Sequence, residues 1–542
     1  MDEKSTIAPR NHDVVVLGGG LAGLTLSIQL KRQFPSLDIL VLERRRHPVP
    51  EAAHKVGESS VEIGAHYFDT VLGLKEHLTQ QQLKKFGFRF FFSEGRTDLD
   101  GVTELGASAF LPTPSYQLDR GIFENFLGAH ARSLGVAFVD GAVVRSFELA
   151  AQGATHQVRY EYAGQTQQVA SRWLIDAAGR AGLIKRKLGL AQDNAHDANA
   201  VWFRIGAKID IDEWSTNRDW LQRCDPPLRW LSTNHLCGAG YWAWLIPLAS
   251  GSHSVGIVCD AATHPLDTMN TFEKALAWFH EFQPRLAQDI EAKKHLLQDF
   301  CFLRNFSYGC KQVFSGDRWA LTGEAGVFLD PFYSPGSDFI AISNTYIADL
   351  IARDLQGERI GGRAHVYQQL YFSFYASTLS LYTNQYGIFG DPEVMPVKVI
   401  WDYTYYWGIL CQLFFQRRLT DLNGIGRLSS ELNHSKALNY AMQDFLREWS
   451  KVSAKRNAPV LLDQAALPWF HELNRGLRDE LDEDGFVARV REYAALLNSL
   501  AMQIVDKACE QCPGLAADEV RKLLADGVGA EGVGVLLFEE AA

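Results

Sequence analysis

A glycine-rich turn between a predicted strand and a predicted helix constrains this chain more than any other feature. Residues 18–23 read Gly-Gly-Gly-Leu-Ala-Gly and match the pattern G-x-G-x-x-G. The apolar, β-branched run at 13–17 precedes the turn and predicts a buried parallel strand, and residues 21–34 have helical spacing. A second predicted strand at 37–42 ends at Glu43, which completes a β-α-β unit. This context predicts a Rossmann-like dinucleotide-binding domain.

The residue types in this unit suit a bound dinucleotide. Gly18 permits the tight turn, Gly20 lets the backbone approach the pyrophosphate, and Gly23 lets helix and strand pack closely. The helix N-terminus offers free N–H groups to the phosphates, and Glu43 can accept hydrogen bonds from ribose hydroxyls. We expect cofactor contacts from Gly18, Gly20, Leu21, Ala22, Gly23, Glu43 and Arg44. The sequence has one such unit, which favours FAD as resident cofactor over NAD as substrate.

Composition excludes several classes of protein. The 542 residues are 47% hydrophobic and 22% charged, which predicts globular folding rather than disorder. The net charge of −11 argues against a nucleic-acid partner. A polar start, eight cysteines and no long apolar run predict a cytoplasmic protein without a transmembrane segment. Cys509 and Cys512 form a C-x-x-C without a second pair, so we expect no metal site.

Patterning along the chain predicts an α/β fold with an interleaved second sheet and a helical C-terminal region. Further strands are predicted at 86–92, 157–170, 173–178, 201–211, 242–248, 255–258 and 319–322. We expect a catalytic core over 1–365, with a substrate sheet at roughly 83–118 and 198–305, and helices over 366–542. The aromatic residues between 367 and 416 fit either plain helix packing or the wall of a pocket for a flat apolar substrate.

Three later segments resemble FAD monooxygenases of the hydroxybenzoate-hydroxylase fold. Arg120, in Tyr-Gln-Leu-Asp-Arg-Gly, stands where that group places an arginine near the flavin. Residues 176–180, Asp-Ala-Ala-Gly-Arg, resemble the D-A-x-G-R segment. Residues 323–331 resemble the G-D-A…D-P segment, with Glu324 where Asp is usual. The resemblance implies that FAD also contacts Arg120, Asp176, Gly323, Glu324 and Pro331.

Within that fold the chain is most similar to the flavin-dependent halogenases. Residues 56–59, Val-Gly-Glu-Ser, resemble their flavin-covering loop, which implies that Gly57 and Ser59 contact FAD and that Glu58 is catalytic. Residues 242–247 are a complete W-x-W-x-I-P, and Lys85-Phe86-Gly87 resembles the K-x-G-x-x-F segment with the catalytic lysine. Lys84 is adjacent and is the alternative match. The candidates His54 and Lys55 precede the loop.

The resemblance implies a mechanism and partners. FADH2 from a separate flavin reductase, O2 and chloride or bromide together generate hypohalous acid. A buried lysine, Lys85, holds or polarises it beside an electron-rich aromatic or conjugated substrate, which is either free or bound to a carrier protein. Trp242 and Trp244 separate that substrate from the flavin. Lys85, Trp242, Trp244 and Glu58 are thus the expected catalytic residues.

The segment expected to bind halide departs from the family pattern. Residues 331–338 read Pro-Phe-Tyr-Ser-Pro-Gly-Ser-Asp, where the family has P-x-x-S-[S/T]-G. Pro335 replaces a hydroxyl residue and has no N–H, and Asp338 would repel halide if it faced the site. Gly336 and Ser337 can still donate through their backbone N–H groups, and we expect both to contact the cofactor. A hydroxylase or desaturating oxidase without halide use, and a catalytically silent carrier of an apolar ligand, therefore remain alternatives to a halogenase.

Overall fold

A computed structural model describes residues 10–52, 57–151 and 153–526 of the chain. The first of two large sheets is the predicted dinucleotide-binding sheet. Its strands are Ala137–Asp140, Ile39–Glu43, Arg10–Leu17, Gln165–Asp176, His156–Tyr162 and Val143–Glu148 in spatial order, with Trp319–Leu321 beside Gln165–Asp176. Strand Arg10–Leu17 lies between two parallel neighbours, and Val14, Val15 and Val16 are fully buried.

The prediction of a separate short strand at 173–178 is wrong. Its residues up to Asp176 are the end of the long strand Gln165–Asp176. The polar first half of this strand pairs antiparallel with His156–Tyr162 at the sheet margin. The apolar second half enters the core between parallel partners, so the local pattern marked only the buried end.

The second sheet is interleaved with the first along the chain, as predicted. Its strands are Leu297–Leu303, Ala198–Ile205, His253–Asp260, Tyr241–Pro247, Thr233–Gly238, Phe88–Phe91, Glu104–Gly106 and Leu461–Asp463 in spatial order. The predicted strand at 201–211 is wrong beyond Ile205, because the chain leaves the sheet at Gly206 and turns at Ile211–Trp214. Leu461–Asp463 reaches this sheet from the otherwise helical C-terminal region and pairs with Glu104–Gly106. Small two-stranded ribbons pair Leu83–Lys84 with Tyr116–Gln117 and Ala191–Asp193 with Tyr308–Cys310.

Helices cover the sheets and form most of the C-terminal region. Their bounds are Leu21–Gln33, Glu62–His66, Lys75–Gln81, Arg120–Ser133, Leu183–Lys187, Arg218–Gln222, Phe272–Phe282, Pro284–Lys293, Gly336–Leu355, Gly361–Leu379, Val394–Tyr405, Gln412–Phe415, Leu422–Arg427, Ser429–Val452, Pro468–Gly476, Glu483–Gln511 and Asp518–Asp526. A π-helical stretch, Tyr406–Cys411, joins Val394–Tyr405 to Gln412–Phe415. In the described part of the chain, we find no helix with the length and apolar character needed to cross a bilayer.

Candidate cofactor cleft and lysine chamber

The glycine turn has the geometry expected from its spacing. Gly18 has φ +113°, and a side chain there would collide with the Ala177 carbonyl. A Cβ at Gly23 would collide with the Gly18 carbonyl, so Gly23 is required for helix–strand contact. At Gly20, no described heavy atom lies within 4 Å of where a Cβ would be. Gly20 therefore presents bare backbone to open space, as a pyrophosphate cradle requires.

That open space is a cleft of about 680 Å³, here called the main cleft. The predicted residues that line it are Gly18, Gly20, Leu21, Ala22, Glu43, Arg44, Gly57, Glu58, Ser59, Arg120, Trp242, Trp244, Gly323, Glu324, Pro331, Gly336 and Ser337. These residues are spread over more than 300 positions of the sequence, and the fold brings them together around one cleft. The volume is within the range of cofactor pockets, so the cleft and its glycine cradle fit FAD.

Glu43 is held rigidly at one end of the main cleft. Its two carboxylate oxygens accept hydrogen bonds from Gly19 N at 2.7 Å and Arg45 N at 2.7 Å. Each oxygen keeps a further lone pair, so the carboxylate can still accept from ribose hydroxyls.

Asp176 does not line the main cleft, although it was predicted to bind the cofactor. Its carboxylate is buried beside the loop that follows it, and it accepts hydrogen bonds from Ala178 N at 3.1 Å and Ile184 N at 2.7 Å. Burial raises the pKa of Asp176 to about 6, and these backbone donors oppose the rise. The side chain thus shapes the loop 177–180, whose residues do line the cleft.

Arg120 and Glu58 set the charge of the cleft beside the covering loop. Arg120 donates to Glu124 Oε1 at 2.6 Å and to the Gly57 carbonyl at 3.3 Å. Burial raises the pKa of Glu58 to about 7, although Arg204, whose Nε lies 3.5 Å from Glu58 Oε1, lowers it. Glu58 can therefore exchange a proton near neutral pH. Val56 and the candidates His54 and Lys55 lie outside the described residues.

Two buried tryptophans form the wall between the main cleft and the interior. Trp242 and Trp244 have ring centroids 5.7 Å apart. The Trp242 indole donates to Tyr386 Oη at 3.3 Å, and that hydroxyl donates to Asp330 Oδ2 at 2.6 Å. His196 Nε2 lies 2.8 Å from the same oxygen. Sequence reasoning missed Tyr386 and His196, because no local pattern marks either residue as a partner of Asp330.

Lys85 is buried and Lys84 is not. Lys85 is 4% exposed, and its ammonium donates to Ser59 Oγ at 2.9 Å and to the Ser60 carbonyl at 3.1 Å. It also lies 3.3 Å from the centre of the Phe88 ring. Lys84 is exposed and lies over Phe110. Of the two lysines, only Lys85 reaches a residue that lines the main cleft.

Burial and two neighbouring carboxylates act in opposite directions on the pKa of Lys85. Burial lowers the pKa of Lys85 well below its usual range, whereas Glu62 and Asp338 raise it. Asp338 Oδ1 accepts from Gly64 N at 2.8 Å, and Oδ2 accepts from the Tyr406 hydroxyl at 2.6 Å. Burial raises the pKa of Asp338 to about 8. Asp338 therefore points away from the main cleft, so its charge is no objection to a halide bound there.

Two small cavities adjoin Lys85 and Asp338. The aromatic cavity, about 50 Å³, is bounded by Asp338 and Asp402 among apolar and tyrosine side chains. The lysine cavity, about 10 Å³, is lined by Lys85 and Glu62 together with residues of other segments. Both share Val61, Phe88 and Tyr403. The aromatic C-terminal helices thus contribute both to core packing and to the lining of these cavities. The two cavities together are here called the chamber.

Comparison with known proteins agrees with this geometry. The model of a family described as an FAD binding domain matches residues 11–262. The flavin-dependent halogenase chlA of Dictyostelium discoideum is 24% identical, over 82% of this chain and 81% of its own. A 1H-pyrrole-2-carbonyl-[peptidyl-carrier protein] brominase of Pseudoalteromonas luteoviolacea is 26% identical, over 64% of this chain and 79% of its own. The structure of halogenase PltM with phloroglucinol and FAD superposes with a TM-score of 0.64 at 17% identity, covering 90% of this chain and 96% of that one.

These findings confirm the predicted α/β fold, the FAD-binding domain and the resemblance to halogenases.

Proposed function

We propose that this FAD-dependent enzyme, a relative of the flavin-dependent halogenases, halogenates an electron-rich aromatic substrate in the chamber beside Lys85. The observation that carries the proposal is the position of Lys85. Its ammonium is buried, yet it donates to Ser59, which lines the main cleft. A cation at that point can hold an oxidised halogen species that leaves the cleft and present it to an aromatic ring.

Bound FADH2, with O2 and halide, supplies hypohalous acid. Residues of the chain keep the substrate away from the cofactor, exchange protons and activate the acid. Trp242 and Trp244 exclude the substrate from the main cleft, and Glu58, whose pKa is raised to about 7, exchanges protons on the cleft side. When the ring carbon attacks the halogen, the oxygen–halogen bond breaks and the Lys85 ammonium gives a proton to the oxygen, which leaves as water. The proton then lost from the same ring carbon restores the aromatic ring and returns to the Lys85 amine.

The first turn of the helix Gly336–Leu355 is the proposed halide site. Gly336 and Ser337 line the main cleft, and their backbone N–H groups precede the first intrahelical bond, which Phe339 N makes to the Pro335 carbonyl at 3.0 Å. Pro335 removes one donor from this turn. We therefore expect halide binding that is weaker than in a site with a full set of N–H groups.

The remaining assignments complete the proposal. We assign residues 1–365 to the catalytic core and 366–542 to a helical domain, with Leu461–Asp463 as its contribution to the substrate sheet. A separate flavin reductase supplies FADH2 in the reducing cytoplasm. The cofactor contacts are those predicted, with Gly23 and Asp176 acting through the backbone they position.

A second candidate is a hydroxylase or desaturating oxidase that uses no halide. Pro335 favours it, because this residue cannot contribute a donor to the halide site. The two candidates predict different products from the same assay.

The test is turnover with FAD, NADH, a flavin reductase, bromide and a panel of phenols, pyrroles and indoles, read by mass spectrometry. Halogenation predicts a product with the bromine isotope doublet that Lys85→Met abolishes. Lys84→Met is the matched control, because its lysine is adjacent but exposed, and it should retain turnover. An oxygenated or dehydrogenated product that forms equally without bromide would replace halogenation with the second candidate.

A further inference from the structure

Two buried polar side chains that line the lysine cavity each have one atom without a hydrogen-bond partner among the described residues. Glu62 is 4% exposed and Gln464 is 2% exposed, and both line the cavity with Lys85. Across the described ranges 10–52, 57–151 and 153–526, no hydrogen bond reaches Glu62 Oε2 or Gln464 Nε2. Unpartnered acceptors and donors at this depth are costly and rare, so a pair of them around one cavity points to a ligand.

Neighbouring side chains do not supply the missing partner of Glu62. The Trp407 indole lies near enough to lower the pKa of Glu62, which burial raises. The indole acts on this pKa as a hydrogen-bond donor, but among the described residues neither Trp407 Nε1 nor Glu62 Oε2 has a partner at full hydrogen-bond distance and angle. Glu62 therefore keeps a free acceptor at the cavity.

The C-terminal region holds Gln464 in place. The preceding residue, Asp463, ends the strand that pairs with Glu104–Gly106. Its carboxylate accepts from Ser108 N at 2.9 Å and from Ser108 Oγ at 2.6 Å. Gln464 follows this anchor directly, so its amide is presented to the cavity by a fixed backbone rather than by a loose loop.

The two groups define what fits between them. A ligand must donate to the Glu62 carboxylate and accept from the Gln464 amide. A phenolic hydroxyl does both, a pyrrole N–H only donates, and a methyl ether only accepts. We propose that Glu62 and Gln464 are a recognition pair for a phenolic hydroxyl on the aromatic substrate, which the pair places beside Lys85; this rests on the proposed function for the identity of the reaction.

The substrate ring would occupy the space shared by the two cavities. Their volumes, about 10 and 50 Å³, are smaller than an aromatic ring requires, and Val61, Phe88 and Tyr403 separate them. Binding therefore includes displacement of this shared wall, with the hydroxyl at the polar end and the ring body among the tyrosines.

The experiment is calorimetric titration of the FAD-loaded protein with resorcinol, 1,3-dimethoxybenzene and pyrrole. We expect resorcinol to bind at least about tenfold more tightly than the other two, because only it satisfies both groups. Glu62→Met and Gln464→Leu should each weaken resorcinol binding by about tenfold to a hundredfold. Glu62→Gln keeps an acceptor and should lose less than Glu62→Met.

Gln412→Leu is the matched control. Gln412 is fully buried, and both amide atoms lack a partner among the described residues, but it lines neither cavity. It should bind resorcinol like the unaltered protein, and unchanged FAD binding should confirm that each variant is folded. Equal affinity for resorcinol and its dimethyl ether, no binding of resorcinol, or equal losses in Gln412→Leu and Gln464→Leu would overturn the proposal.

Failure of the proposed function gives a different result. Calorimetry needs no turnover, so the hydroxyl preference can be present in a protein that makes no brominated product. Conversely, bromination that depends on Lys85 but ignores Glu62 and Gln464 would leave the proposed function standing and remove the recognition pair.

Discussion

Alanine substitutions at two glycines of the same turn should have different effects. Gly20→Ala should weaken cofactor binding, and Gly23→Ala should destabilise the fold. Gly20 has φ −86° and ψ −167°, a conformation that alanine adopts without strain, and its missing Cβ points into the main cleft. Gly20→Ala should therefore fold normally without cofactor but place a methyl group where the pyrophosphate approaches. Gly23→Ala should instead force helix and strand apart and destabilise the apoprotein by about 1–3 kcal/mol.

The size of the effect on FAD follows from linkage. Losing charge-assisted contacts between backbone and phosphate of about 1.5–3 kcal/mol weakens binding by about tenfold to a hundredfold. At an FAD concentration of about 100 times the wild-type Kd, the cofactor stabilises wild type by about 2.7 kcal/mol. At the same concentration a variant with about 100-fold weaker binding gains only about 0.4 kcal/mol.

Thermal and urea unfolding with and without FAD measure both quantities. Gly20→Ala should match wild type without FAD and lose most of the shift that FAD causes. Without FAD, Gly23→Ala should unfold at a lower temperature and a lower urea concentration than wild type. A full FAD-induced shift in Gly20→Ala would refute the assignment of this turn as the pyrophosphate cradle.

Three further predictions follow from the buried charges and the halide turn. Burial raises the folded-state pKa of Asp338 to about 8, above its unfolded value of about 4, so its contribution to stability is complete below about pH 4 and is lost as the pH rises to about 8. The stability of Asp338→Asn relative to wild type should therefore rise between about pH 4 and about pH 8 in urea titrations, and a flat difference would contradict this. Lys398 donates to Asp402 at 2.7 Å in full burial, so Lys398→Met should cost about 3–5 kcal/mol in denaturant unfolding. Adding Asp402→Leu should recover only part of this loss, because Tyr333 and Gln443 also donate to Asp402 at 2.7 Å and would then lack an acceptor. Pro335→Thr restores an N–H to the halide turn and should lower the KM for bromide by about tenfold with little change in kcat; an unchanged KM would remove this turn from halide binding.

Local sequence predicted much of the fold because its first unit is continuous in the chain. The strand, turn and helix from Arg10 to Gln33 contact one another directly, and Glu43 follows one strand later. The spacing of these residues therefore fixes both the turn and the face that it presents. Where strands depend on distant partners, as at 173–178 and 201–211, the same approach misjudged where they begin or end.

The interior chamber depended on contacts that no local pattern records. The sequence shows that residue 338 is an aspartate, but it does not show where the side chain points or how its pKa shifts. Both depend on Gly64 and Tyr406, which contact the carboxylate from distant segments of the chain. Likewise Lys84 and Lys85 are alternatives in the sequence. Lys84 ends the short strand Leu83–Lys84 and is exposed, whereas Lys85 follows that strand and is buried by contacts with Ser59, Ser60 and Phe88.

The sequence by itself thus determined the α/β class, the geometry of the glycine turn and the likeness to halogenases, since each depends on short segments of residues that are close together in the chain. Tertiary structure alone decided which lysine is buried, which way Asp338 points, and that Gln464 meets Glu62 at one cavity. The physical reason is that burial and electrostatic coupling depend on distance in space, and the second sheet brings those residues together from opposite ends of the chain.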